Sequence, residues 1–237
     1  NINIMNKRKF TILLLSGLLV SCISAQAQVS FSSQQVINSN ASRVTAVHAA
    51  DLNGDGNMDV LSAASGSHTI AWYENLGSGS FSAPQTITTS ASGASSVYAA
   101  DLDGDGDMDV LSASSKDNKI SFYENQGSGS FSAQQNLTTS ATGAASVFAT
   151  DLDNDGDPDV LSASEGDDKV SWFENQGSLS FGAMQNLTTS ADGARSVYAA
   201  DLNGDGNVDV LSASRNDNKI AWYENQGSGS FGSQQTI

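Results

Sequence analysis

The chain has 237 residues, 10 Lys plus Arg against 26 Asp plus Glu, and a formal net charge of −16, which argues against a nucleic-acid partner because phosphate binding needs a basic face. One Cys and two His leave no material for a disulfide scaffold or a Cys/His zinc site. The acid is concentrated: residues 51–59, 101–109, 151–159 and 201–209 hold 3, 5, 5 and 3 Asp, 16 in all, leaving 10 acids against 10 bases elsewhere.

The first predicted element is an export leader. Asn1–Ile4 read as upstream residues, with Met5 as the start. Lys7, Arg8 and Lys9 precede an apolar run of 11 from Phe10 to Val20, and Ala25-Gln26-Ala27 supplies small residues for cleavage. The run is too short to span a bilayer, which needs about 20 residues. The leader is therefore assigned to 5–27 and the mature chain to 28–237, secreted or at the cell surface. Leu19-Val20-Ser21-Cys22 resembles a lipobox, so lipidation at Cys22 is the alternative.

Next comes a repeat with a step of 50. Asp51-Leu52-Asn53-Gly54-Asp55-Gly56 returns from Asp101, Asp151 and Asp201, and Trp72-Tyr73-Glu74-Asn75 returns from Phe122, Trp172 and Trp222. Each unit predicts four short strands and no helix. In the second unit these are Ser96–Leu102 (A), Met108–Ser114 (B), Lys119–Asn125 (C) and Ser130–Thr138 (D). Strands B and C are apolar on both faces, as in a sheet sandwiched between neighbours. The expected fold is all-β, a β-propeller of four-stranded blades at 39–88, 89–138, 139–188 and 189–237. One extra outer strand is expected at 28–38, since Phe31 shares the register of Phe81, Phe131, Phe181 and Phe231. Five D strands against four A-B-C sets lead to the expectation of a further set downstream, in a larger ring. The aromatics at 72, 122, 172 and 222 are expected between blades. His48 replaces Tyr98, Phe148 and Tyr198 as a packing residue, and His68 is expected to be solvated. Glu74, Glu124, Glu174 and Glu224 are expected to bond the C–D turn, with Lys119, Lys169 and Lys219 near enough to pair with three of them.

The A–B connection carries the chemistry. Its pattern is D-x-[DN]-x-D-G-x-x-D, with Asp101, Asp103, Asp105 and Asp109 at positions 1, 3, 5 and 9 of the second loop. So many carboxylates in nine residues repel one another unless a cation sits among them. Oxygen ligands without His or Cys select Ca²⁺. Position 7 (Asn57, Asp107, Asp157, Asn207) is expected to offer its backbone carbonyl. An EF-hand is excluded because position 12 is Ser62, Ser112, Ser162 and Ser212.

D-L-[DN]-G-D-G-[DN]-x-D-V-L-S-A-S followed by K-I-x-W-Y-E-N-Q-G-S-G-S-F resembles the FG-GAP/VCBS repeat of integrin α-subunit propellers and secreted bacterial proteins. The resemblance implies Ca²⁺ ligation by side chains at positions 1, 3, 5 and 9. These are Asp51, Asn53, Asp55, Asp59; Asp101, Asp103, Asp105, Asp109; Asp151, Asp153, Asp155, Asp159; and Asp201, Asn203, Asp205, Asp209. Asn53 and Asn203 lower the charge of loops 1 and 4, so loops 2 and 3 are expected to bind tighter. Asn154 and Pro158 are the departures in loop 3. No HExxH, P-loop or G-x-S-x-G pattern is present, so no catalytic residue is assigned. The expected function is a non-catalytic binding or adhesion module for an extracellular protein or glycan, presented on the variable B–C loops. The alternative is the accessory propeller of a larger secreted enzyme acting on polysaccharide.

Overall fold

The computed structural model describes residues 33–237, of which Val36–Ile237 fold as one unit. The upstream residues, the leader with Cys22, and Phe31 lie outside the described residues. The rest of the expected extra strand, 33–38, carries no strand; Asn38 instead donates to the Tyr73 hydroxyl at 2.8 Å.

Four antiparallel four-stranded sheets follow in chain order. They are β1 (Val44–Ala50), β2 (Asp59–Ala64), β3 (Thr69–Tyr73) and β4 (Gln85–Thr88); β5 (Ala94–Ala100), β6 (Asp109–Ser114), β7 (Lys119–Tyr123) and β8 (Gln135–Thr138); β9 (Ala144–Thr150), β10 (Asp159–Ser164), β11 (Lys169–Phe173) and β12 (Gln185–Thr188); and β13 (Ala194–Ala200), β14 (Asp209–Ser214), β15 (Lys219–Tyr223) and β16 (Gln235–Thr236). Each sheet is a β-meander, the form of a propeller blade. Among the described residues there is no helix, and so none that is long and apolar enough to cross a membrane.

The outermost strand is shorter than the sequence predicts. In the second blade it starts at Gln135 rather than Ser130, and Phe131 makes only an isolated bridge to Asn125. The C–D turn takes the intervening residues: Gln126 N–H donates to Ser130 O at 2.7 Å, and Ser130 N–H to Gly127 O at 3.1 Å. The inner strand ends at Ala100, because the Leu102 amide turns into the loop to meet Asp109.

Strand B shows why both its faces are apolar. Every residue of β6 and of β10 is buried. One face packs on the preceding blade and the other on the following one, so three apolar cores lie between blades, with none inside a single sheet. Trp72, Phe122 and Trp172 fill these joints. The inner strands lie side by side. Thr45 Oγ1 donates to Ala94 O, and Ser95 Oγ to Ala144 O, both at 2.7 Å. His48, Tyr98, Phe148 and Tyr198 stack in a ladder with ring centroids 4.5, 4.8 and 4.8 Å apart. His48 is thus a packing residue. His68 is not free in solvent: its Nδ1 accepts the Gly93 amide of the next blade at 3.1 Å. Asn118 and Asp168 do the same for Gly143 and Gly193.

Candidate metal centre

Each A–B loop leaves an inner strand and folds on its own first carboxylate. Asp51 Oδ1 accepts Gly54 N–H at 2.8 Å and Asp55 N–H at 3.1 Å, and its Oδ2 accepts Gly56 N–H at 2.7 Å. Asp101, Asp151 and Asp201 bind the amides at positions 4 and 6 in the same way. Position 6 has φ between 86° and 99° in the four loops, a conformation that glycine adopts without strain. Position 4 has φ 66° at Asn154, which Asn tolerates better than other side chains, so loop 3 keeps the shape of the rest.

Position 9 closes the loop from below. Asp59, Asp109, Asp159 and Asp209 are fully buried. In loop 2, Asp109 Oδ2 accepts Leu102 N–H at 2.9 Å, and Oδ1 accepts Asn125 N–H at 2.7 Å. One carboxylate therefore ties the end of the inner strand to the end of strand C. The equivalent bonds recur from 2.7 to 3.1 Å in the other loops.

The fold brings positions 1, 3 and 9 together. Carboxylate oxygens of Asp101, Asp103 and Asp109 lie within 4.8 Å of one another, as do those of Asp151, Asp153 and Asp159. In loops 1 and 4, Asn53 and Asn203 stand at position 3, leaving two acids and an amide. Position 5 lies on the solvent side of the loop and meets position 3: Asn53 Nδ2 donates to Asp55 Oδ2 at 3.4 Å and Asn203 Nδ2 to Asp205 Oδ2 at 3.0 Å. Asp105 and Asp155 are exposed, and each accepts the position-7 amide at 2.9 Å. Asp55 and Asp205 accept Asn57 and Asn207 N–H at 2.8 Å, and these bonds hold their carboxyls below the usual range. Burial, reinforced by the neighbouring acids, has the opposite effect where the carboxylates converge. It raises Asp103 and Asp153, and lifts Asp109 to about 6 and Asp159 to about 7. Three converging, partly desolvated carboxylates suit a hard divalent cation, which would neutralise them.

Two features of the site escaped sequence reasoning. The first is the Asn after each repeated Glu. Asn125 is 1% exposed, and its Nδ2 donates both to Met108 O of its own loop at 3.1 Å and to Leu52 O of the preceding loop at 2.9 Å. Asn175 and Asn225 reach back to Leu102 O and Leu152 O at 2.7 and 2.6 Å. These Asn side chains clip each loop to the one before it. The clip uses only the carbonyl of position 8, which Pro158 supplies as well as Met108 or Val208 does. The strict recurrence of Asn beside Glu was the available signal. The second feature concerns the Glu itself. Its backbone, not its carboxylate, bonds the C–D segment, as in Ser132 N–H to Glu124 O at 2.8 Å. Lys119, Lys169 and Lys219 pair instead with Asp117, Asp167 and Asp217, two residues away on the B–C turn.

The FG-GAP-like repeat matches the chain four times, over residues 51–112, 103–162, 151–212 and 201–237. No curated protein matches. Among solved structures, the chain is similar to an Agrocybe aegerita lectin that recognises non-reducing terminal N-acetylglucosamine. The TM-score is 0.58 at 22% identity, covering 79% of this chain and 50% of the lectin. It is also similar to Bap1, a biofilm matrix protein of V. cholerae, with TM-score 0.52 at 23% identity, covering 81% of this chain and 28% of that one. The chain thus spans half of the first and about a quarter of the second, and at these identities the likeness is one of fold. The repeat matches run without a gap from 51 to 237, through all four acidic loops and the blades that carry them. The chain belongs to the FG-GAP-like repeat family.

Proposed function

We propose that the chain is an exported, non-catalytic binding or adhesion module whose A–B loops hold structural Ca²⁺. The convergence of three carboxylates in loops 2 and 3 supports the metal assignment most directly. Asp101, Asp103 and Asp109, and their counterparts Asp151, Asp153 and Asp159, would hold the ion, which supplies positive charge that offsets their repulsion. Loops 1 and 4 would hold theirs more weakly, having one charge fewer. A structural role fits position 9, which already braces two strands. Extracellular calcium modules bind at roughly 10⁻⁴–10⁻³ M. At millimolar Ca²⁺ and the tighter end of that range, each occupied site adds about 1.4 kcal/mol by mass action.

The partner is a glycan or an extracellular protein. Likeness of fold to a terminal N-acetylglucosamine lectin and to a biofilm matrix protein supports this class. The B–C turns differ most between blades, with Lys116 on the second, Glu165 on the third and Arg215 on the fourth, and so would set specificity. Calorimetric titration with Ca²⁺ tests the metal: heat of binding in the wild type, reduced in Asp101→Asn/Asp151→Asn, is the expected result. No binding to the chelator-stripped wild type would refute it. A glycan array with the Ca²⁺-loaded protein tests the partner class, and a blank array would turn the search to proteins.

A further inference from the structure

The position-9 carboxylates are joined by a chain of hydrogen bonds that runs from loop to loop. Asp159 Oδ1 of loop 3 accepts Asn175 N–H at 2.7 Å, and Asn175 Nδ2 donates to Leu102 O of loop 2 at 2.7 Å. Leu102 N–H in turn donates to Asp109 Oδ2 at 2.9 Å. Three bonds thus separate Asp159 from Asp109, and all four residues are 0% exposed. The same bonds lead from Asp109 through Asn125 and Leu52 to Asp59, and from Asp209 through Asn225 and Leu152 to Asp159. The chain is continuous through the four loops, and no water competes with it where it is buried.

Leu102 also stands between the other two converging acids. Its N–H lies in the peptide group shared with Asp101, and its carbonyl in the one shared with Asp103. The grip of Asn175 on that carbonyl therefore fixes the backbone from which positions 1 and 3 of loop 2 project, while Asp109 is oriented by the N–H of the same residue.

We propose that Asn125, Asn175 and Asn225 couple neighbouring Ca²⁺ sites, so that filling one loop makes the next bind more tightly. The proposal rests on the metal reading above. With loop 3 filled, Asp159 is held in place, and with it the Asn175 that holds Leu102. Loop 2 then presents Asp101, Asp103 and Asp109 already placed, and less ordering remains to be done when it fills. Each Asn acts through the carboxylates without touching the ion, so it is a positioning residue. A filled loop also weakens the negative field at its neighbour, which opposes the coupling. That effect does not pass through Asn175 and remains when the side chain is removed.

The test is a Ca²⁺ titration of the full chain, followed by NMR at the position-6 amides of Gly106 and Gly156, which report loops 2 and 3 separately. In the wild type both should titrate more steeply than a single-site curve. Asp151→Asn/Asp153→Asn, which disables loop 3, should weaken loop 2 by about fivefold or more, the usual scale of coupling between sites. With Asn175→Ala already present, the same pair of changes should weaken loop 2 by less than about twofold. With Asn225→Ala present instead, which loses the equivalent bonds one joint further on, the full effect should remain; this control separates coupling from loss of stability. Asn175→Ser also loses the Nδ2 donor, keeps an oxygen near the Gly177 amide that Asn175 Oδ1 accepts at 3.2 Å, and replaces the alanine variant where that one does not fold. No Ca²⁺-dependent shift at either glycine would overturn the metal reading and the coupling together. Two independent single-site curves, or an effect of loop 3 on loop 2 that survives Asn175→Ala undiminished, would leave the metal in place and overturn the coupling alone.

Discussion

Asn125 and Asp109 carry more of this structure than their size suggests. A buried Asn that satisfies two carbonyls from adjacent blades leaves both unpartnered when truncated, and an orphaned buried polar group costs about 1–3 kcal/mol. Asn125→Ala should therefore lower the urea midpoint markedly. Asn75→Ala, which breaks the bond to Met58 O alone, should lower it less. Equal effects would mean that the clip between loops contributes nothing. Asp109 and Asp159 set the pH response of the metal-free chain. Burial raises their carboxyls to about 6 and about 7, so the folded state binds protons more tightly than the unfolded one. Their contribution to stability is complete below the unfolded carboxyl range of about 4, and is lost as pH rises through about 6 and 7. In chelator, lowering the pH from 8 toward 5.5 should therefore raise the melting temperature. In Ca²⁺ the melt should change little over that window, so the gap between the two closes. A gap independent of pH would show that cation and proton do not compete for the same oxygens. The spacing of the acids was legible in the sequence, since repulsion along nine residues is a local property. The hydrogen bond of Asp109 to Asn125 was not, because those residues meet only after two strands have paired.

Loops and turns obey the packing between blades as much as their own sequence. Gly129 is the clearest case: its φ is 70°, and its missing side chain is the space that Trp72 fills. Gly129→Leu should destabilise by about 1–3 kcal/mol, the usual cost of overpacking a joint. Trp72→Phe, added to it, should recover much of the loss by reproducing the middle joint, where Leu179 occupies the turn and packs on the core that holds Phe122. A double variant no better than the single one in chemical denaturation would disprove the volume match. The same reasoning accounts for the short outer strand. Alternation alone predicts pairing from Ser130, but the C–D turn draws its amides into a tight bend and leaves pairing to begin at Gln135.

The molecule is a row of similar sheets in which each blade meets only its neighbours, so stability is a sum of blade and joint contributions. The inner joints are complete, while Leu202, Ile220 and Val47 are open at the two ends. Amide hydrogen exchange should be slowest in β6, β7, β10 and β11. It should be fastest in β16, which is only two residues long. Uniform protection from end to end would contradict a nearest-neighbour architecture. Chelation should lower protection most in the second and third blades, whose loops gather three acids each.

The period of 50, the four-stranded unit, the family and the identity of the acidic positions could all be read from the chain alone. Each of them is a matter of which residue stands a set number of places from another. Two facts required the tertiary structure. Asn rather than Glu joins adjacent loops, and Trp or Phe in one blade selects Gly or Leu in the next. These depend on contacts between residues 57 to 73 places apart, and on how much volume remains when two sheets close on one another. Local pattern carries no measure of that volume.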